Sequence, residues 1–149
     1  MTRSIKEIQR KLVANMNTWQ KVENAAIAST GRVIEKTENP IVRLVMEIIQ
    51  RDSQMHYRVQ QWILDSLEGG TSVAFSPEDL AHVWDMIEEH LLLEKKTIEL
   101  ATRSLESIGD SKGMLLQAYL LEYLLEDEQK HEKLLERLAS IQKGMYPYA

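Results

Sequence analysis

No cysteine occurs in the 149-residue chain. That absence excludes disulfides, thiolate nucleophiles, thiolate zinc sites and cysteine-held iron–sulfur clusters. Any metal bound here must be held by oxygen and imidazole. Proline, with three residues, and glycine, with six, are also scarce, so little interrupts a chain dominated by the helix formers Leu, Glu, Lys, Gln, Ala and Met. An all-α fold is expected. No run of about 18 apolar residues is present, which leaves no candidate transmembrane helix. The start, MTRSIKEIQRKLVAN, lacks the apolar stretch of a signal peptide, so a cytoplasmic location with no membrane partner is expected. Basic charge is in deficit, the net value being -5. The local cluster Arg3, Lys6, Arg10 and Lys11 does not make up the surplus that nucleic-acid binding uses. Neither a glycine-rich phosphate loop nor a serine nucleophile elbow can be found.

What is present points to one well-buried core. Hydrophobic residues make up 44% and charged residues 28%, too apolar for a disordered chain and too short overall for two full domains. A single domain spanning 1–149 is expected. Ile5, Ile8, Leu12, Met16, Trp19, Ala26 and Ile27 recur at helical spacing, which predicts a first helix from about residue 4 to the low thirties, with Gly31 near its end. In TENP, Asn39 is an N-cap and Pro40 a first helical residue. The second helix then carries Ile41, Val45, Ile48, Asp52, Met55, Val59 and Trp62 to about Leu67, where EGGTSVAF breaks the pattern. SPED restarts a helix with Ser76 as N-cap. Its seam is regular: Leu80, Trp84, Ile87, Leu91, Glu94, Ile98, Ala101, Leu105 and Ile108. GDSKG ends this third helix, and a fourth begins near Ser111 with Leu121, Leu124, Glu128, His131, Leu135 and Leu138 on its seam. The tail GMYPYA reads as irregular. Four long amphipathic helices with one longer connection predict a four-helix bundle, in crossover or up-down-up-down topology.

Charged residues on apolar seams need partners, because burying a carboxylate or imidazole unpaired costs several kcal/mol, of the order of the fold's whole net stability. The fourth helix offers Glu128 and His131, three residues and about 60° apart, flanked by Asp127. The second offers Asp52 and His56 at i and i+4; the third offers Glu94, with His90 one turn earlier; the first offers Glu23. Counting along antiparallel neighbours sets His56 within a turn of the height of Glu23, and Glu128 and His131 within a turn of Glu94. Two polar layers are therefore expected near the middle of the bundle. His82 and His90 read as surface or rim residues, and the tryptophans and methionines as core.

These residues carry a family resemblance. The chain resembles ferritin-like proteins of the rubrerythrin-related di-iron carboxylate group, in which two helices each give one Glu and two give a Glu-x-x-His pair, all projecting inward. EDEQKH in the fourth helix supplies Glu128 and His131; Glu94 and Glu23 match the single-Glu helices by seam position. In the second helix Ser53 stands where that motif has Glu, so His56 matches directly and Asp52 would serve one residue out of register. The resemblance implies one or two ions of iron or manganese held by Glu23, Asp52, His56, Glu94, Glu128 and His131. It also implies oxidation of ferrous iron or reduction of dioxygen or peroxide, with an external electron donor because there is no cysteine-bearing rubredoxin module. The alternative is a metal-free ferritin-like scaffold acting in dimerisation or partner binding. The apolar arc of the fourth helix, which includes Leu120, Leu134 and Ile141 beside the seam, suits a homodimer.

Overall fold

The computed structural model describes residues 4–69 and 77–143. The Ser76 cap, most of the glycine-containing connection, Arg3 and the GMYPYA tail lie outside the described residues. The five helices are α1 (Ile5–Lys36), α2 (Pro40–Glu68), α3 (Pro77–Ala81), α4 (Trp84–Ile108) and α5 (Leu115–Gln142), with a 3₁₀ turn at Lys112–Met114. No strand occurs among the described residues. The all-α expectation is met. The chain divides into two compact units, Met1–Val73 and Ala74–Ala149, and each is built around a helical hairpin.

In the first unit, Ser4 and Glu7 form a capping box at the start of α1. The helix continues through Gly31 to Lys36, a turn further than the low thirties. Only Thr37 to Asn39 separate it from α2. The Asn39 side chain accepts from the backbone N–H of Ile41 at 2.9 Å and of Val42 at 3.2 Å, satisfying two donors that a helix start leaves unpaired and contributing about 1 kcal/mol. Gly69 ends α2 at φ 81°, a left-handed conformation that a side chain would strain. The helices run antiparallel, since Gln20 meets Tyr57 and Gln61 while Ile27 meets Gln50 further back along α2.

The second unit departs from one expectation. The third helix is not continuous: a turn at His82 and Val83 divides it into α3 and α4. No proline or glycine causes this break. Val83, at φ -117° and ψ 4°, has no side chain able to cap α4, and Leu80 before it is buried, with α3 packed against both α4 and α5. Packing of α3 thus overrides the continuous helical pattern. The fourth helix also starts later than Ser111, at Leu115, after the 3₁₀ turn.

The buried column of the first hairpin is mostly polar. Gln20, Glu23, Thr30, Ser53 and Gln60 are buried with Met16 and Leu64, whereas Trp19, Met55, Val59 and Trp62, expected in the core, are about half exposed at 51–54%. The reason is geometric. Two helices in a hairpin cover only one narrow strip of each other, and the strip here is centred on Glu23 and Gln60, beside the broader apolar arc.

Candidate metal centre

Glu94 on α4 and Glu128 and His131 on α5 meet across the second hairpin. One oxygen from each carboxylate and one ring nitrogen of His131 all lie within 4.8 Å of one another. Glu94 is 94% buried and contributes the carboxylate at the centre, its residue exposure being only 6%. Its Oε1 faces His90 Nε2 at 2.8 Å, and its Oε2 lies 3.5 Å from His131 Nδ1, too long and poorly aimed for a hydrogen bond. With Glu128 ionised, that Oε2 is buried without a hydrogen-bond partner. The hydroxyl of Thr97, one turn after Glu94, lies 3.0 Å from Glu128 Oε2 and 2.7 Å from the Glu94 carbonyl oxygen, either of which can accept its one proton.

His131 is held from behind. Its Nε2 faces Asp127 Oδ2 at 3.3 Å, and Asp127 in turn pairs with Lys130 at 2.6 Å. This leaves Nδ1 turned to the two glutamates, 3.5 Å from Glu94 and 3.6 Å from Glu128. A carboxylate beside the far ring nitrogen orients the imidazole, as for histidines that ligate metals. The helical spacing dictates this arrangement: Asp127 and His131 are i and i+4, Glu128 and His131 i and i+3, so the ring bridges both carboxylates of its own helix. A cleft of about 580 Å³ opens onto the cluster, lined also by Leu93, Leu134 and Leu135.

Two carboxylates this close do not both ionise readily. A hydrogen bond with Glu128 holds the Glu94 carboxyl below the ordinary glutamate range, and His90 and His131 act in the same direction while burial opposes them. Glu128 moves the other way. Its hydrogen bond to Glu94 pushes it up, burial adds to this, and the Thr97 hydroxyl opposes. Without a cation each carboxylate therefore opposes the ionisation of the other, and the cost falls on Glu128. A divalent ion would relieve that repulsion and satisfy the buried Glu94 Oε2, so the donor set fits a hard or borderline cation such as iron or manganese.

The first hairpin brings together fewer of the expected ligands. His56 Nδ1 lies 3.3 Å from Glu23 Oε1, and the Gln60 amide donates to that same oxygen at 3.2 Å. Asp52 takes no part. It is exposed and makes no ion pair with His56, although it corresponds in register to Asp127, which does reach His131. Among the described residues, the Glu94, Glu128 and His131 group alone gathers three possible ligands. His90, read from the sequence as a rim residue, is 58% exposed at its side chain yet touches Glu94.

Sequence reasoning missed Thr97 and Gln60. Thr97, exposed, stands three residues after Glu94, and Gln60, buried, four after His56, so extending the count by one turn would have found them. No family model, no curated protein and no solved structure matches the chain.

Proposed function

We propose that the protein binds a divalent cation, iron or manganese, at Glu94, Glu128 and His131. The observation that carries this is the buried Glu94 Oε2, which has no donor once Glu128 is ionised, beside a second carboxylate and an imidazole flanked by Asp127. Apolar residues would usually fill such a position, and an unpaired carboxylate oxygen there is costly unless something positive joins it. The ferritin-like reading extends the proposal. Both hairpins carry a buried Glu facing a His, and both leave apolar side chains such as Trp19, Trp62, Leu93 and Leu134 exposed, which supports four helices forming one bundle.

Bound iron would supply one-electron chemistry, with dioxygen or peroxide as oxidant of the ferrous ion and an external donor to reduce it again. The chain's own residues would bind and orient: Glu94 and Glu128 neutralise the ion, His131 completes the set, Thr97 fixes the Glu128 oxygen, and the leucines of the cleft restrict water. Whether turnover follows binding is a separate matter from the site. Protein prepared without chelator, or loaded anaerobically with ferrous ion and then desalted, is expected to retain metal near stoichiometrically. Elemental analysis showing only traces after loading would refute the reading.

The same apolar faces support a homodimer as part of this proposal. On α5, Leu124 and Leu134 are exposed while Leu120, Leu121, Leu135 and Ile141 are half-buried. Light scattering at micromolar concentration is expected to give twice the chain mass of 17.3 kDa; the mass of a single chain would exclude the dimer.

A further inference from the structure

We infer that the two hairpins are unequal by construction: the α1–α2 layer excludes metal, Gln60 and Ser53 being the residues that close it, and each chain takes a single divalent ion, on α4–α5. The inference rests on the metal-binding proposal above and specifies how many sites there are.

The two layers share a register. His56 is the sixteenth residue after the first of α2, from 40 to 56, and His131 the sixteenth after the first of α5, from 115 to 131. Each histidine faces a buried glutamate of the preceding long helix, Glu23 or Glu94. The layers then diverge at two positions. Three residues before the histidine, α5 has Glu128 where α2 has Ser53, which is itself buried with 6% exposure. Four residues after it, α5 has Leu135 where α2 has Gln60, which is 3% exposed.

The second difference decides what Glu23 can bind. The Gln60 amide N–H and the His56 ring nitrogen lie 3.2 and 3.3 Å from one oxygen, Glu23 Oε1. Two fixed groups thus already meet Oε1 of Glu23, whereas on α4 His90 meets Oε1 of Glu94 and Leu135 adds no donor beside the Oε2 that faces Glu128 and His131. Charge points the same way. Glu94 with Glu128 can present two negative charges, matching a divalent ion, whereas Glu23 stands with a neutral hydroxyl and a neutral amide. An ion there would remain half-neutralised in a buried setting, which is unfavourable. Turning the Gln60 amide over would offer its carbonyl as a ligand, but it would add no charge and would direct that oxygen at Glu23 only if no cation lay between them. In the present orientation Gln60 Oε1 is buried without a hydrogen-bond partner, the residual cost of holding the amide N–H on Glu23.

Equilibrium dialysis of the full chain against manganous ion, with metal counted by elemental analysis, tests this. The wild type is expected to hold one ion per chain. Glu23→Gln and His56→Gln should hold the same, while Glu128→Ser, which copies the α2 layer onto α5, should lose it. The double variant Ser53→Glu, Gln60→Leu should rise to two. Two ions in the wild type, or a halved content in Glu23→Gln, would overturn the inference while leaving metal binding intact. A folded double variant that still holds one ion would overturn the role given to Ser53 and Gln60. No ion in any form would refute the binding proposal and this inference with it. Circular dichroism of each variant separates lost ligands from lost fold, and the wild-type and Glu23→Gln counts decide the question even if the double variant does not fold.

Discussion

Manganous or ferrous ion is expected to raise the melting temperature of the chelator-stripped protein by about 5–10 °C, and His131→Ala should abolish nearly all of that rise. A ligand held only by the folded state stabilises it by about 2.7 kcal/mol at a hundredfold excess over Kd, and about 1 kcal/mol moves the midpoint of a chain this size by roughly 2–4 °C. His131 is the nitrogen donor of the three-residue group, and its loss leaves two carboxylates that oppose each other's ionisation. Without metal, His131→Ala should still destabilise by about 1–3 kcal/mol, because the histidine contacts of Asp127, Glu94 and Glu128 go together. Glu126→Ala is the internal control. Glu126 is exposed on α5 and outside the cluster, so it should keep the full metal response. A wild type that melts unchanged with metal, or a His131→Ala protein that responds as strongly, would defeat the assignment.

Glu128→Gln is expected to move stability in opposite directions with and without metal. In chelator at neutral pH the variant should be more stable than wild type by about 1–2 kcal/mol, since a neutral amide donates permanently to the charged Glu94. With saturating metal it should be less stable, having lost a charged ligand. The pH dependence fixes the sign. Glu128 has its folded pKa raised, so the contribution of its proton is fully present below the ordinary glutamate value of about 4.3 and is lost as pH rises through the raised value. Glu94 is lowered, and its contribution is present above that ordinary value and lost as pH falls through the lowered one. The advantage of Glu128→Gln in chelator should therefore vanish near pH 4 and grow toward neutrality. Paired melts from pH 4 to 8 measure this; an advantage that is constant with pH would show that Glu128 holds no displaced proton.

Helix-level structure was legible because its signals are local. Asn39 with Pro40 marks the start of α2, adjacent glycines mark its end, and apolar spacing identifies the long helices. The division at His82 and Val83 was not legible, because it follows from α3 packing on α5 and leaves no proline or glycine as a trace. At the site, Glu94, Glu128 and His131 could be read as charged residues on otherwise apolar seams, and the structure brings them together. Asp52 was chosen because it shares a helical face with His56, but sharing a face does not set which residue turns inward. Ser53 and Gln60 occupy the buried strip of α2, and an apolar pattern gives no warning of polar residues satisfied by one another. Trp19 and Trp62 lie outside the α1–α2 contact for the converse reason: hydrophobicity states a preference for burial, and a two-helix contact is too narrow to grant it to every apolar residue.

The Gln60 contact with Glu23 closes 37 residues of chain, and the Thr97 contact with Glu128 closes 31. Both polar layers are therefore joined across a single helical reversal, and pairings this local favour rapid folding. During synthesis from the amino terminus, α1 and α2 can close on each other before α4 and α5 have been made. The layer formed first is the one satisfied by an amide, and it needs nothing beyond the polypeptide. The layer with an unmatched carboxylate forms last. Folding of the first hairpin can thus begin before the Glu94, Glu128 and His131 cluster exists, and an ion bound there, as proposed, would act only once the last helix is added.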